Sequence, residues 1–554
     1  MKLSAVARLA IKILLFGTAL TPLIYAPQLI FPFVLGKMFF YRGAVEIAFI
    51  LTALLFIVEY VRGTANAPDS LASRLRARSV FFKNPLFIAI AVFVFSAAVS
   101  VALAPNVYRG FFGGGERGEG FLGIFHYFLF LALALVFFRM RDWAVFAGIW
   151  LGTASVVMLY AWLQFFSWFR LFGAASFPFA LDATDQPGSW TGNPAYLAGY
   201  LIISLALALF LYNGSTHSTS SGQASSPRGL TSSRVWRALL IGFFAAVPAT
   251  VVMTGIRGAV LGVFAGGFAL AIGFLFQRGT KRSFKIAALG LLAGLVTLGG
   301  VFWMTRGAEV WKVFPGIRRL AKADLLSTPS VATRLLALTV SWEAFKERPL
   351  FGWGLENYDI AYNKYYDPAY AFYAEDWFDR AHNRFVDTAV TQGVFGLLSY
   401  LVVLGIMFRK FWDNIWTSDA HIFGGGRMSA PLLSAIFVAY IVQNLFIFDQ
   451  ITTYIAFFAL AGILIYREGD GSTSPSAVSS GPNCSPQVAS PRASPPFSRF
   501  AVLALCAVLG VGTLASGYAL YAWNFVPLRQ AFRFHAVLST KNGEKIFAAT
   551  DSFF

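Results

Sequence analysis

The sequence predicts an all-α protein, a polytopic membrane bundle of about 12–13 transmembrane helices with one large extracytoplasmic loop containing short helices. Three observations predict it. Apolar residues make up 57% of the 554 positions and charged residues 13%, about half the charge of a soluble domain, too little to cover a water-facing surface. The apolar residues fall in blocks of roughly 20 that are almost free of charge, the length needed to cross about 30 Å of hydrocarbon. Basic residues gather in the short stretches between blocks, where they fix orientation. This pattern excludes a soluble enzyme, a disordered scaffold and a disulfide-stapled secreted module. The net charge of +18 then reads as loop charge rather than as a nucleic-acid surface.

The elements follow in order. Lys2, Arg8 and Lys12 precede an apolar run that continues to Ile30 without a small-residue cleavage site, so it reads as a first span, not a signal peptide. Thirteen spans are expected: 9–31, 39–61, 84–104, 121–138, 143–166, 193–213, 238–256, 258–276, 286–304, 385–407, 430–447, 451–466 and 500–522. With the N-terminus in the cytoplasm, inner segments hold 23 Lys and Arg and outer segments 21, of which 11 lie in 305–384 and 4 in the C-terminal tail. Long segments translocate regardless of charge, so the short loops decide, and they favour this orientation. The expected divisions are a bundle at 1–304, the outer loop at 305–384, further spans at 385–466, a flexible cytoplasmic linker at 467–499, a last span at 500–522 and an outer tail at 523–554. The tail's abrupt stop reads as truncation before a soluble domain.

Residues 213–229 and 468–498 are Ser-, Gly- and Pro-rich and cannot bury a core. His217 and His421 are expected to be solvated. Cys484 sits in the second linker and Cys506 in an apolar block, with no spacing that suggests a bridge or a metal, and no metal site is expected.

The segment 305–384 is the largest outer piece. It opens on Arg306, Arg318, Arg319 and Lys322, then gives a helix over TRLLALTVSWEAFKER with Leu335, Leu338, Trp342 and Phe345 at helical spacing. Pro349, Gly352 and Gly354 end it; this Gly-x-Gly has no following Lys-Ser/Thr, which excludes a phosphate loop. Ten aromatic residues lie in the 26 from Trp353 to Phe378, an interfacial belt or a platform for sugar rings. His382, between Arg380 and Arg384 at the outer membrane boundary, is a candidate base, since an imidazole accepts a proton near neutral pH. Arg257 in a tight outer turn, Arg117 in GGGERGEGFLG and Arg334 at the start of the loop helix are candidate phosphate binders, because a planar guanidinium near hydrocarbon is costly and matches phosphate oxygens. Salt bridges and snorkelling are the alternatives for each.

Four stretches carry a family likeness: FFGGGERGEGFLGIFHY (111–127), SWTGNPAYLAGYL (189–201), MTGIRGAVLG (253–262), and TRLLALTVSWEAFKERPLFGWGLENY followed by AHNRFVDTAVTQGVFGLLSY. In order and content the chain resembles the bacterial O-antigen ligase and O-antigen polymerase superfamily of integral membrane glycosyltransferases. Two positions depart from that pattern: Ile256 stands where a Ser commonly precedes the Arg-Gly, and Gln392 where a Glu often precedes Gly393. The resemblance implies a GT-C-like bundle in the bacterial inner membrane. It also implies inverting transfer of a glycan, without a metal or other cofactor, from a polyprenyl-diphosphate-linked donor to an outer-face hydroxyl. The acceptor, a glycan, lipid or protein, stays open, as does ligase against polymerase or protein O-oligosaccharyltransferase. By resemblance, His382 is the base, Arg257, Arg334 and Arg117 hold the diphosphate, and Asn193 and Asn383 support the site. The remaining partners are membrane lipids, with no nucleic acid. A flippase for the same lipid-linked glycans is the alternative of another class; it would want a repeat and mid-membrane polar residues. A scaffold serving a missing C-terminal domain is the third.

Overall fold

The computed structural model describes residues 2–114, 117–168, 184, 186–216, 234–313, 317–318, 321, 329–373, 378–416 and 429–471, with isolated positions 518, 522, 524 and 530. Apart from those isolated positions, the expected span at 500–522 and the tail at 523–554 lie outside the described residues, as do most of both linkers, with His217, His421, Cys484 and Cys506, and also Arg319 and Lys322.

The described chain is helical throughout: α1 Lys2–Gly17, α2 Leu35–Val61, α3 Leu71–Ala77, α4 Ser79–Phe82, α5 Pro85–Ala102, α6 Val107–Phe112, α7 Phe121–Phe137, α8 Met140–Trp168 and α9 Pro194–Thr216 form the first half. α10 Arg234–Met253, α11 Arg257–Phe276, α12 Arg282–Thr305, α13 Glu309–Val313, α14 Pro329–Glu347, α15 Tyr358–Lys364, α16 Arg384–Trp416, α17 Ser429–Asn444 and α18 Ile451–Gly471 follow. Ten helices are long and apolar enough to cross a membrane, and Phe121–Phe137 and Ala430–Asn444 are shorter apolar helices, so the all-α membrane bundle stands. Intrahelical bonding is what allows these backbones to lie in hydrocarbon.

The first span differs from its expected end at 31. It passes into a 3-10 turn at Thr18–Leu23 and stops there. Pro22, Pro27 and Pro32 withhold backbone donors, and the hydroxyls of Thr18 and Thr21 turn back onto the carbonyls of Leu15 and Thr18. Residues 24–34 form a loop closed by Lys37, whose buried ammonium donates to the carbonyls of Ile24, Phe33 and Trp190 at 2.6–2.8 Å.

Burial runs from one extreme to the other. α18 is enclosed on nearly every side, while α12 leaves almost its whole surface open, as a rim helix facing lipid does. The interior is aromatic: Phe146 stacks on Trp150 at 6.2 Å, and Trp150 donates to Ser204. One intramembrane pair stands inside it, Glu46 and His126, joined at 2.8 Å and met by Asn524 at Glu46.

The outer unit is built on α14. Its Ala337, Val340 and Ala344 pack against Trp353, Tyr358, Tyr362 and Tyr370, while Leu335, Leu338 and Trp342, the face expected to be the apolar one, are exposed. A clasp joins this unit to α16. The amides of Trp353 and Gly354 donate to the carbonyls of Val390 and Thr391 at 2.9 and 2.8 Å, and the Val394 amide returns to Pro349 at 2.7 Å. α16 opens for this at Gly393, with φ 66° and ψ −166°, a conformation open essentially to glycine alone. The Gly-x-Gly run and the Gly-x-x-Gly helix are two halves of one backbone joint.

Candidate functional site

The segment 378–383 brings the site together between the outer unit and α16. Asn383 starts that helix: its Oδ1 accepts from the amides of Phe385 and Val386 at 2.9 and 3.2 Å. His382, just before it, takes a left-handed φ of 51°, a strained choice for a residue with a Cβ. Its Nδ1 donates to the Arg380 carbonyl at 3.1 Å, which leaves the lone pair on Nε2. The ring sits between Phe378, at 4.7 Å, and Phe448, at 5.7 Å. Burial pushes its pKa below the usual histidine value. Arg334 and Arg117 push the same way, against the Arg380 carbonyl and Asp379. His382 is therefore a neutral imidazole at neutral pH.

Arg117 is brought alongside, but its fork is engaged. Nε and Nη2 hold both oxygens of Asp379 at 2.6 and 3.0 Å, Nη1 donates to the Tyr196 hydroxyl, and the guanidinium lies 4.6 Å from the Phe448 ring. Burial would lower its pKa, yet Tyr196 and Asp379 hold it above the ordinary arginine value. The same pairing draws the Asp379 carboxyl below its usual range despite its burial.

Arg334 and Arg257 form the other side. Arg334 stands on α14 with its side chain partly open to solvent and partly desolvated, and Arg257 opens α11. Burial lowers the Arg334 pKa and the charge of Arg257 lowers it further, so two cations act on each other across the outer surface. Such a pair favours an anion that meets both. Gly258 follows because α11 is pressed close there: an added Cβ would stand 2.5 Å from Phe446 Cβ.

Beneath these lies a charged hub that the sequence did not disclose. Arg380 is buried among Glu119 at 3.1 Å, Asp387 at 3.1 Å and Glu356. Arg384 lies 3.8 Å from Asp387 and 3.9 Å from Asp449. Glu119 is pushed up to about 7 by burial, opposed by Arg380 and reinforced by Glu356. The acidic residues of ERGEG and LENY were the available signal, but their shared partner Arg380 lies 261 positions from Glu119 and 24 from Glu356.

Asn193 caps α9, accepting from the Ala195 amide at 2.8 Å, and lines a cavity of about 300 Å³ together with Arg117 and Glu119. A second cavity, of about 360 Å³, shares Arg117 and adds Arg109, Glu356 and Asp379. The aromatic stretch is neither a belt nor a platform for the most part: Tyr358, Tyr362 and Tyr370 are buried in the outer unit, leaving Tyr366, Phe372 and Tyr373 exposed.

The structure thus brings His382, Asn383, Arg117 and Arg334 to one place, with Arg257 beside Arg334 and Asn193 at the adjoining cavity. No curated protein is matched by the chain. Residues 240–401 match the model of the O-antigen ligase family, a span that contains Arg257, Arg334, His382 and Asn383. Such a match supports an enzyme of the membrane glycan ligase or polymerase type, acting on lipid-linked glycans. This stretch is thus similar to the O-antigen ligase domain, which supports the O-antigen ligase and polymerase superfamily.

Proposed function

We propose that the protein transfers a glycan from a polyprenyl diphosphate carrier to an acceptor hydroxyl at the outer face of the bacterial inner membrane, with the N-terminus in the cytoplasm. The observation that carries this is a neutral, half-buried His382 within electrostatic reach of Arg334, itself coupled to Arg257. The acceptor oxygen forms a bond to the anomeric carbon as its proton passes to His382 Nε2. The bond from that carbon to the diphosphate oxygen breaks, with inversion, and the departing polyprenyl diphosphate is met by Arg257 and Arg334. Fixed cations placed where charge develops supply the main stabilisation, so no metal is required.

The test uses purified protein in liposomes with a polyprenyl-diphosphate-linked glycan as donor. His382→Ala is expected to lose transfer by at least about 100-fold, the ordinary contribution of a positioned base. Wild-type protein is expected to keep its rate in chelator. A His382→Ala rate equal to wild type would overturn the assignment, and strict dependence on a divalent cation would overturn the arginine account.

A further inference from the structure

The end of the bundle away from His382 carries a second crowd of cations. α7 leads away from Glu119 over 17 residues, about 25 Å, so Arg139, just beyond it, stands at the far end. There α1 carries Arg8 and Lys12 one turn apart. Glu59 accepts from Arg8 at 2.7 Å with one oxygen, and from the Leu71 amide that opens α3 at 2.6 Å with the other. Asp142 accepts with a single oxygen from Lys12 at 2.5 Å and from the Arg139 amide at 2.8 Å. These contacts draw the starts of α3 and α8 in beside α1 and engage both carboxylates.

Arg74, one turn into α3, and the exposed side chain of Arg139 are left over. Among the described residues no carboxylate lies within ion-pair distance of either, and Arg74 Nε is buried without a hydrogen-bond partner. Burial lowers the Arg74 pKa, Arg8 and Arg139 lower it further, Asp69 opposes them, and Arg78 adds to the repulsion. Over residues 4–12, 59–83 and 139–142, nine basic residues stand against three acidic ones. Orientation in the membrane needs basic residues in a loop, and cations spread out in water would serve it equally well. Crowding and desolvating them is costly unless an anion joins them.

The surroundings point to the kind of anion. Val6, Leu9 and Ile13 form an exposed aliphatic face on α1, and Leu75 and Val80 are exposed beside the arginines. A lipid meets both features at once, with its chains on the aliphatic face and its phosphate on the guanidinium forks. A soluble phosphate would use the charges alone. Basic pockets at the ends of spans are suited to such headgroups. We propose that the corner between α1, α3 and α8 binds an anionic glycerophospholipid, its phosphate between Arg74 and Arg139 with Arg8 behind them, and its acyl chains along α1. This site is independent of the transfer reading, and in the proposed orientation it draws its lipid from the cytoplasmic leaflet.

Native mass spectrometry of the delipidated full chain in a neutral detergent tests this. The probes are dioleoyl phosphatidylglycerol, dioleoyl phosphatidylcholine and the deacylated headgroup glycerophosphoglycerol. An arginine near an anionic headgroup contributes about fivefold in affinity, so wild-type protein is expected to hold phosphatidylglycerol about thirtyfold more tightly than phosphatidylcholine. Arg74→Gln/Arg139→Gln is expected to remove that preference. Lys281→Gln/Arg282→Gln takes the same charge from another exposed loop and is expected to keep it. If the first double variant does not melt near the wild-type temperature, Arg139→Gln at its exposed position takes its place, with an expected loss of about fivefold. No preference in wild-type protein, or an equal loss in the two double variants, overturns the site. Glycerophosphoglycerol that displaces the lipid at equal concentration overturns the lipid as its occupant.

Discussion

At the scale of the residue, His382 is set by its neighbours more than by its own type. Burial, Arg334 and Arg117 all favour its neutral form, so the base stays available below the ordinary histidine value of about 6.5. The acid limb of the pH profile of kcat/KM is therefore expected below that value. Removing a nearby cation relieves the repulsion on the protonated ring and raises its pKa. Residual activity of Arg334→Gln should accordingly show the limb moved to higher pH, and an unmoved limb would separate the two residues. Asn383 acts through the helix it caps. Asn383→Ala should cost about 1 kcal/mol of stability in melting experiments and lower kcat by loosening His382, with Asn383→Asp restoring most of both.

At the scale of the element, the joint between the outer unit and α16 is the part most sensitive to change. A Cβ on Gly393 would run into the Leu350 backbone, and its ψ of −166° at φ 66° is closed to alanine. Gly393→Ala is expected to destabilise by more than about 2 kcal/mol and to open the 349–354 turn to limited proteolysis. Much of this scale was legible in the sequence. Blocks of about 20 apolar residues announce themselves, since hydrocarbon thickness leaves little choice of length. The end of the first span was not, because Pro22 sits inside a run whose hydropathy continues past it. The face of α14 was misjudged for a related reason. Small residues such as Ala337 and Ala344 make its buried side, while the larger Leu335 and Trp342 dominate any apolar count and remain outside. His382 and the arginines could be picked out by type and place; Glu119 at Arg380 could not, since the tertiary approach of residues 261 positions apart leaves no local pattern.

At the scale of the whole molecule, the proposed orientation, with the site outside, rests on charge in the short loops. In a Cys484→Ser/Cys506→Ser background, Phe372→Cys should react with an impermeant thiol reagent in intact cells, and Lys281→Cys only after permeabilisation. The opposite pattern would place His382 in the cytoplasm and remove its access to an outer-face acceptor. Both positions are exposed, so the labelling reports sidedness rather than burial.

The nearly uncovered α12 bears on kinetics. It packs beside α11, the helix that Arg257 opens, so that helix lies next to the open rim of the bundle. A carrier held in the bilayer would then be met by lateral diffusion, and the quantity that governs encounter is its number per unit of membrane area. Adding inert lipid at constant total volume should slow transfer, although every bulk concentration of enzyme and donor is unchanged.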